Sequence, residues 1–404
     1  MRKKKRRLRR LVPSAFLIGM GLLFGTAFIP KKNTPWTHRF DRLELEQAKN
    51  VARDRIRFHQ ERTRQDVLGW QAFDFPDGTR LREVSKNRGN NFDYEQKLFS
   101  NLNKNLEIPN DAIFWNVSML PPTNNQLKWY CRMSNIGNLR VDSARVVGIT
   151  APHNYNEGQV RQYPIEHAFY CELVYGINFR NCLFEDLGGH GIYIAYRPRP
   201  FQQYPPKNKF FDRKPYYHIK DVTLIDTEQD ASRGSHSITF FDPGNGDFPG
   251  EILIEDTAVI NGWDFERYQG SNERFEISDD PNRVRSCGPI VVTNYEEFPE
   301  EGWPTDMLTL RRCVFWSVKA KHSMGDIRNI REVLIEDCFF RAEDHMNPVI
   351  NLGSKDGDAR FKAPEKVTIR NCKSDGVTLR IWLDDVNYED VDLNTVGTEF
   401  IWSK

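Results

Sequence analysis

Four histidines follow copies of one short phrase in this chain. His190, His236, His322 and His345 come 8, 9, 9 and 7 residues after its sixth place. If the copies stack as rungs, equivalent positions lie ~4.8 Å apart. The imidazoles then form an interrupted column, with Cys287 near the missing place. Such a column can bind a metal through nitrogen ligands at about 2.0–2.1 Å. It can also supply an acid/base pair, with Asp186, Asp230, Glu343 and Asp344 nearby in sequence. His190, His236 and His322 are accordingly the candidate catalytic residues. The competing reading is structural. His190 and His236 each stand two residues before an inward Ile, so strand alternation turns them inward as hydrogen-bonded turn residues.

The second group of candidates is aromatic and charged. Four long insertions separate the copies: Tyr196–Tyr217, Asp242–Gly250, Trp263–Ser286 and Tyr295–Asp306. They carry Arg197, Tyr204, Trp263, Tyr268 and Trp303, the candidate ligand-binding residues. Sugar rings have apolar faces and polar rims, which suits aromatic side chains beside charged ones. Insertions at one rung position line up on one side and can wall a groove. The same loops also read as lids packed over the body. Their acidic members offer oxygen ligands of the kind Ca²⁺ takes. Ca²⁺ is thus the one cofactor left open, and none is otherwise called for.

The phrase that positions these residues occurs six times. Its copies are Ile177–Cys182, Val222–Thr227, Ile252–Thr257, Leu308–Cys313, Val333–Cys338 and Val367–Cys372. Apolar residues hold the first and third places. A polar residue, usually Asn or Asp, holds the fifth, and Cys or Thr the sixth. Alternation of this kind is the period of a strand. A second short apolar run follows most copies, as in Ile192–Ile194 and Ile238–Phe240. The shortest spacing, 25 residues, sets the basic unit, and longer gaps hold insertions. The expected fold is an all-β solenoid, a right-handed parallel β-helix over 139–383. Leucine-rich repeats share the period but need a fuller Leu signature and a helical turn after each strand, and both are missing here.

The rungs, together with Gly189-His190-Gly191-Ile192-Tyr193-Ile194, resemble those of pectin-lyase-like right-handed β-helix proteins. The resemblance covers roughly Leu139 to Leu383. It implies a fold that hosts lyases, hydrolases and non-catalytic proteins alike. Gly189-His190-Gly191 is also similar to the tripeptide of polygalacturonase-like glycoside hydrolases. The paired-carboxylate motifs that precede it in that family are absent here, as is the R-I-K. A two-carboxylate hydrolysis mechanism is poorly supported. The lyase route needs a Lys or Arg base, and Lys319, Lys321, Arg197 and Arg199 are present without distinctive spacing. There is no nucleotide-binding glycine loop, C-x-x-C pair or nucleophile elbow.

Of 57 basic residues, eight lie in positions 1–10, ahead of an uncharged stretch over 11–29. As a helix those nineteen residues rise about 28 Å, enough for a bilayer. The expectation is a basic cytoplasmic tail over 1–10 and a transmembrane signal-anchor over 11–29, with the body extracytoplasmic. Cleavage after Ala27 would instead secrete it. Segment 30–66 reads as a linker with an amphipathic helix, Leu45, Ala48, Ala52 and Ile56 forming its stripe. That helix is expected over the open end of the next domain rather than in a coiled-coil stalk. Segments 67–138 and 384–404 read as N- and C-terminal caps, since open sheet ends need cover.

The remaining 49 basic against 56 acidic residues make the body mildly acidic, which argues against nucleic-acid binding. Seven cysteines cannot all pair. Four occupy sixth places and read as stacked small hydrophobes; a Cys313–Cys338 disulfide is the weaker alternative. The expected function is a membrane-anchored extracytoplasmic β-helix that binds polysaccharide or another envelope component without catalysis. The alternative is a polysaccharide lyase or glycoside hydrolase acting in a loop-walled groove.

Overall fold

The computed structural model describes residues 34–56, 83–85, 111–115, 118–119, 129–147, 167–185, 187, 190–195, 214–227, 236–241, 243–244, 249–262, 288–293, 303–318, 323–345, 347–353, 362–383, 387–395 and 399–403. The chain is β-rich, and its strands pair mostly in parallel. One row of strands contains β1 (Glu83–Ser85), β2 (Asp111–Trp115), the end of β4 (Trp129–Asp142) and the middle of β6 (His167–Glu185). It continues through the start of β8 (Tyr216–Ile225), β10 (Gly250–Glu255), β13 (Thr305–Arg311), β16 (Ile330–Glu336) and β19 (Lys366–Arg370).

A second row holds β3 (Ser118–Met119), β5 (Arg145–Val147) and the ends of β6 and β8. It goes on to β11 (Ala258–Asn261), β14 (Val314–Val318), β17 (Phe339–Glu343) and β20 (Lys373–Asp375). The third row begins in β4 and β6 and runs through β7 (Ile192–Ala195), β9 (Ile238–Phe241) and β12 (Ile290–Thr293). It ends with β15 (Gly325–Ile327), β18 (Val349–Leu352) and β21 (Thr378–Trp382).

Register explains the phrase and corrects one copy. Leu139, Ile177, Tyr217, Ile252, Leu308, Val333 and Val367 are paired in succession, and each is buried. The unit between Ile177–Cys182 and Ile252–Thr257 is therefore Tyr217–Val222, not Val222–Thr227. Val222 lies opposite Cys182, in the sixth place. An earlier unit, Leu139–Ala144, joins the same row. Apolar first and third places alternate with outward second and fourth ones, so the inward set forms one continuous core with Phe184, Leu224, Val259, Phe315 and Phe340 of the second row.

The fifth place has a backbone reason. Ser143, Asn181, Asp221, Asp256, Arg312, Asp337 and Asn371 all have φ between 48° and 57°. This left-handed conformation turns the chain from the first row into the second. Asn and Asp tolerate it better than other side chains, which accounts for their recurrence. The sixth place follows directly. Cys313, Cys338 and Cys372 thiols lie 3.3, 3.4 and 3.6 Å from the carbonyls of Ile254, Leu310 and Ile335, the third places one unit back. Cys171, Cys182, Cys313, Cys338 and Cys372 are free thiols and buried, so the Cys313–Cys338 bridge is not formed.

A 3-10 turn (Trp36–Arg42) leads into helix α1 (Leu45–Arg55). Gln47 accepts from the Glu44 N–H at 3.4 Å, and Arg53 and Arg55 in the last turn suit the helix dipole. Ala48, Ala52 and Ile56 are buried as the spacing predicts, but against the flank of β8 and β11 and not over an open end. The reason is polar. Thr37 donates to the Asp337 carbonyl, His38 bonds the Asn371 carbonyl at 3.0 Å, and Arg55 donates to the Asp256 carbonyl at 3.1 Å. The segment thus crosses several units by reading the column of left-handed turns. Lys49 is buried there, 2.9 Å from Asp226 and 2.8 Å from the Gly262 carbonyl.

The last unit is covered by antiparallel pairing. β22 (Tyr388–Asp392) pairs with β21, and β23 (Glu399–Ser403) pairs with β19. Among the described residues no helix is long and apolar enough to cross a membrane, and 11–29 lies outside them.

Candidate functional site

His190 and His236 are brought together. Ile192 pairs with Ile238, so the two histidines hold one register position on successive units. Both are buried. His190 Nδ1 lies 2.7 Å from the His236 carbonyl and 2.9 Å from the Thr239 hydroxyl. A carbonyl only accepts, so the proton is assigned to Nδ1. The ring packs against Tyr193, with centroids 5.1 Å apart. His190 is thus buried and hydrogen-bonded, but its ring meets Tyr193 and Thr239, which alternate with the core residues Ile192, Ile194, Ile238 and Phe240, so it does not turn into the core as strand alternation predicts.

The row of histidines ends there. The same register position passes to Gly288, Ser323 and Pro348 in the following units. His345 stands three residues before Pro348 and accepts from the Asn347 N–H at 3.2 Å. Glu343, at the end of β17, binds Arg341 at 2.7 Å. His322, Cys287, Asp186 and Asp230 lie outside the described residues, as do Arg197, Tyr204, Trp263 and Tyr268.

Trp303 is described and half-buried. Its Nε1–H donates to Glu365 at 3.2 Å, and Lys362 Nζ lies 5.8 Å from its ring centroid. It precedes β13 beside a row of ion pairs. There Lys214 binds Glu251 and, at 3.1 Å, Asp306, which also accepts from Arg331 at 2.7 Å. Burial alone would raise the Asp306 carboxyl, but the Arg331 and Lys214 bonds outweigh it and hold it below its ordinary value.

A further cluster of titratable groups lies on the outward places of the first row. Register aligns Arg180, Lys220, Glu255, Arg311, Glu336 and Arg370 in the fourth place, largely alternating in sign. In the second place His218 follows Asn178 and Arg140. His218 Nε2 lies 3.2 Å from Glu255 Oε1, Lys220 Nζ 2.9 Å from the same oxygen, and Arg312 Nη2 3.0 Å from Oε2. Arg312 also holds Asp256 at 2.7 Å. His218 is 1% exposed and Glu255 8%. The His218 hydrogen bond, opposed by burial and reinforced by Lys220, holds the Glu255 carboxyl far below the carboxylate range.

Chemically, a carboxylate so held stays ionised at neutral pH. It fixes the imidazole and two cations but offers no proton to donate and little basicity. The sequence signal was present in Tyr217–Val222. Read in register, that unit puts His218 and Lys220 outward and Glu255 one unit later; read five residues out of register, it hides both. Among the described residues no group of three or more His, Cys, Asp or Glu is arranged to hold a metal ion. The sequence matches no family model, and neither a curated protein nor a solved structure is detectably similar to it.

Proposed function

We propose that this chain is a right-handed parallel β-helix, anchored through residues 11–29 with its body outside the cytoplasm, that binds polysaccharide or another envelope component without catalysis. The repeated three-strand unit and its parallel register support the solenoid reading. One observation carries the non-catalytic reading. The buried carboxylate nearest an outward imidazole, Glu255, is neutralised by Lys220 and Arg312. A general acid or base needs a pKa near the working pH, and Glu255 lies far from it. The partly exposed Trp303, bordered by Lys362 and Glu365, supplies the kind of amphipathic surface sugar rings take.

The test uses the full-length protein in detergent micelles with a panel of acidic and neutral polysaccharides. The expectation is retarded migration in affinity electrophoresis with unchanged polymer length, with or without Ca²⁺. New reducing or unsaturated ends would replace this reading with the hydrolase or lyase one. A reporter fused after Lys404 is expected to be active only outside the cytoplasm.

A further inference from the structure

The end of the stack beyond β19 is closed unevenly. β22 carries Glu389, Asp390 and Asp392, a charged fence of the kind that keeps an open strand edge from pairing. β23 carries a single acid, Glu399, at one end, where it binds Arg370 at 2.6 Å. The rest of the strand is Phe400-Ile401-Trp402-Ser403. Among the described residues β23 pairs only with β19. Ile401 is 56% exposed, the most exposed large hydrophobic residue described. Phe400 and Trp402 extend the inward rows ending in Ile369 and Val367, yet stay only partly buried. Among the described residues the core ends at these two aromatic side chains.

The sequence of β23 selects what can pair along it. Antiparallel pairing of the strand with itself, about a two-fold axis through Ile401, sets Phe400 opposite Trp402 of the other copy and Ile401 opposite Ile401. It sets Glu399 opposite Ser403, leaving the two carboxylates about 14 Å apart along the strands. No like charges meet. The same operation on β22 would set Asp390 against Asp390. We infer that β23 is a homotypic docking edge at which two copies of this chain join by antiparallel strand pairing centred on Ile401. The interface is isologous and closes at two copies.

The experiment uses the full-length chain in detergent micelles, oxidised after single cysteine substitution. Directly opposed residues in such a pair have Cβ atoms about 4.5–5.5 Å apart, so Ile401→Cys should form a disulfide dimer. Ser403→Cys, four residue steps from its own mate, should not. Ile401→Lys, which sets like charges opposite each other, should weaken dimerisation about tenfold or more with an unchanged circular dichroism spectrum. Equal cross-linking at both sites, none at Ile401, or a dimer indifferent to Ile401→Lys would overturn the inference. So would a ladder of larger species, which a two-fold edge cannot make, or an edge that binds vesicles but never cross-links.

Discussion

His218 Nε2 sits 3.2 Å from Glu255 Oε1 although the residues are 37 apart in sequence. Parallel pairing of β8 with β10 produces this, with His218 opposite Leu253 and Lys220 opposite Glu255. The carboxylate then collects His218, Lys220 and Arg312 in a nearly dry setting. Removing it should leave those donors without their acceptor. Glu255→Gln is expected to cost roughly 3 kcal/mol at neutral pH, the range for breaking a buried ion pair. Because the folded-state pKa is lowered, its stabilisation is full above the unfolded value near 4.3 and is lost as pH falls toward the folded value. Thermal melts of both proteins should therefore converge as pH drops below about 4. A constant gap down to strongly acidic pH would mean the charge is not what stabilises.

Lys49 and Asp226 join α1 to the flank. Burial alone would lower the Lys49 pKa, but the Asp226 charge and hydrogen bond overturn this and raise it above the ordinary lysine value. Lys49→Ala should cost about 3–5 kcal/mol by stranding a buried carboxylate. It should also open the segment around α1 to limited proteolysis. Lys49→Met with Asp226→Asn should recover part of the loss, since that pair leaves no unmatched charge. Equal loss in the single and double variants would remove the ion pair from the account.

His38 adds a pH dependence to the same segment. Burial lowers its pKa, with the Asn371 carbonyl bond opposing. A lowered base is neutral when folded. Its contribution is present above the ordinary histidine value near 6.5 and is lost as pH falls through the folded value. Protection factors of the Thr37–Ile56 amides should fall on acidification more than those in β13 or β16, and His38→Gln should flatten that difference.

Asn371 has φ 48°, in the column of left-handed turns. Asn371→Val should cost about 1–2 kcal/mol, from the penalty a β-branched side chain meets there. Asn371→Gly should cost less, although it also removes the hydrogen bond to Asp337. Denaturant midpoints for the two variants give the comparison, and Gly worse than Val would contradict the backbone argument.

The buried thiols supply a last check. Burial pushes the Cys182 thiol well above its ordinary range, and a thiol attacks only as thiolate. Cys171, Cys182, Cys313, Cys338 and Cys372 should resist a thiol reagent in the native protein and react after denaturation. Peptide mapping assigns each site.

Local alternation made much of the fold legible from the residues alone. Apolar first and third places predicted strands, and Ala48, Ala52 and Ile56 predicted a buried helical stripe. The sixth-place cysteines were readable as core because small apolar side chains recur there without metal spacing. Register was not legible. Val222–Thr227 imitates the phrase as well as Tyr217–Val222 does, and only backbone pairing with Ile177–Cys182 distinguishes them. The histidines show the same limit. His190 and His236 could be matched by their distance to the next Ile, but the Thr239 hydroxyl and the His236 carbonyl that hold His190 depend on the turn geometry. His218 and Glu255 meet only because an insertion of variable length leaves the next strand in register. Sequence by itself determined which residues face inward, since that depends on a period of two along one strand. Tertiary structure decided which outward residues face one another, since that depends on hydrogen bonds between strands 25 to 56 residues apart.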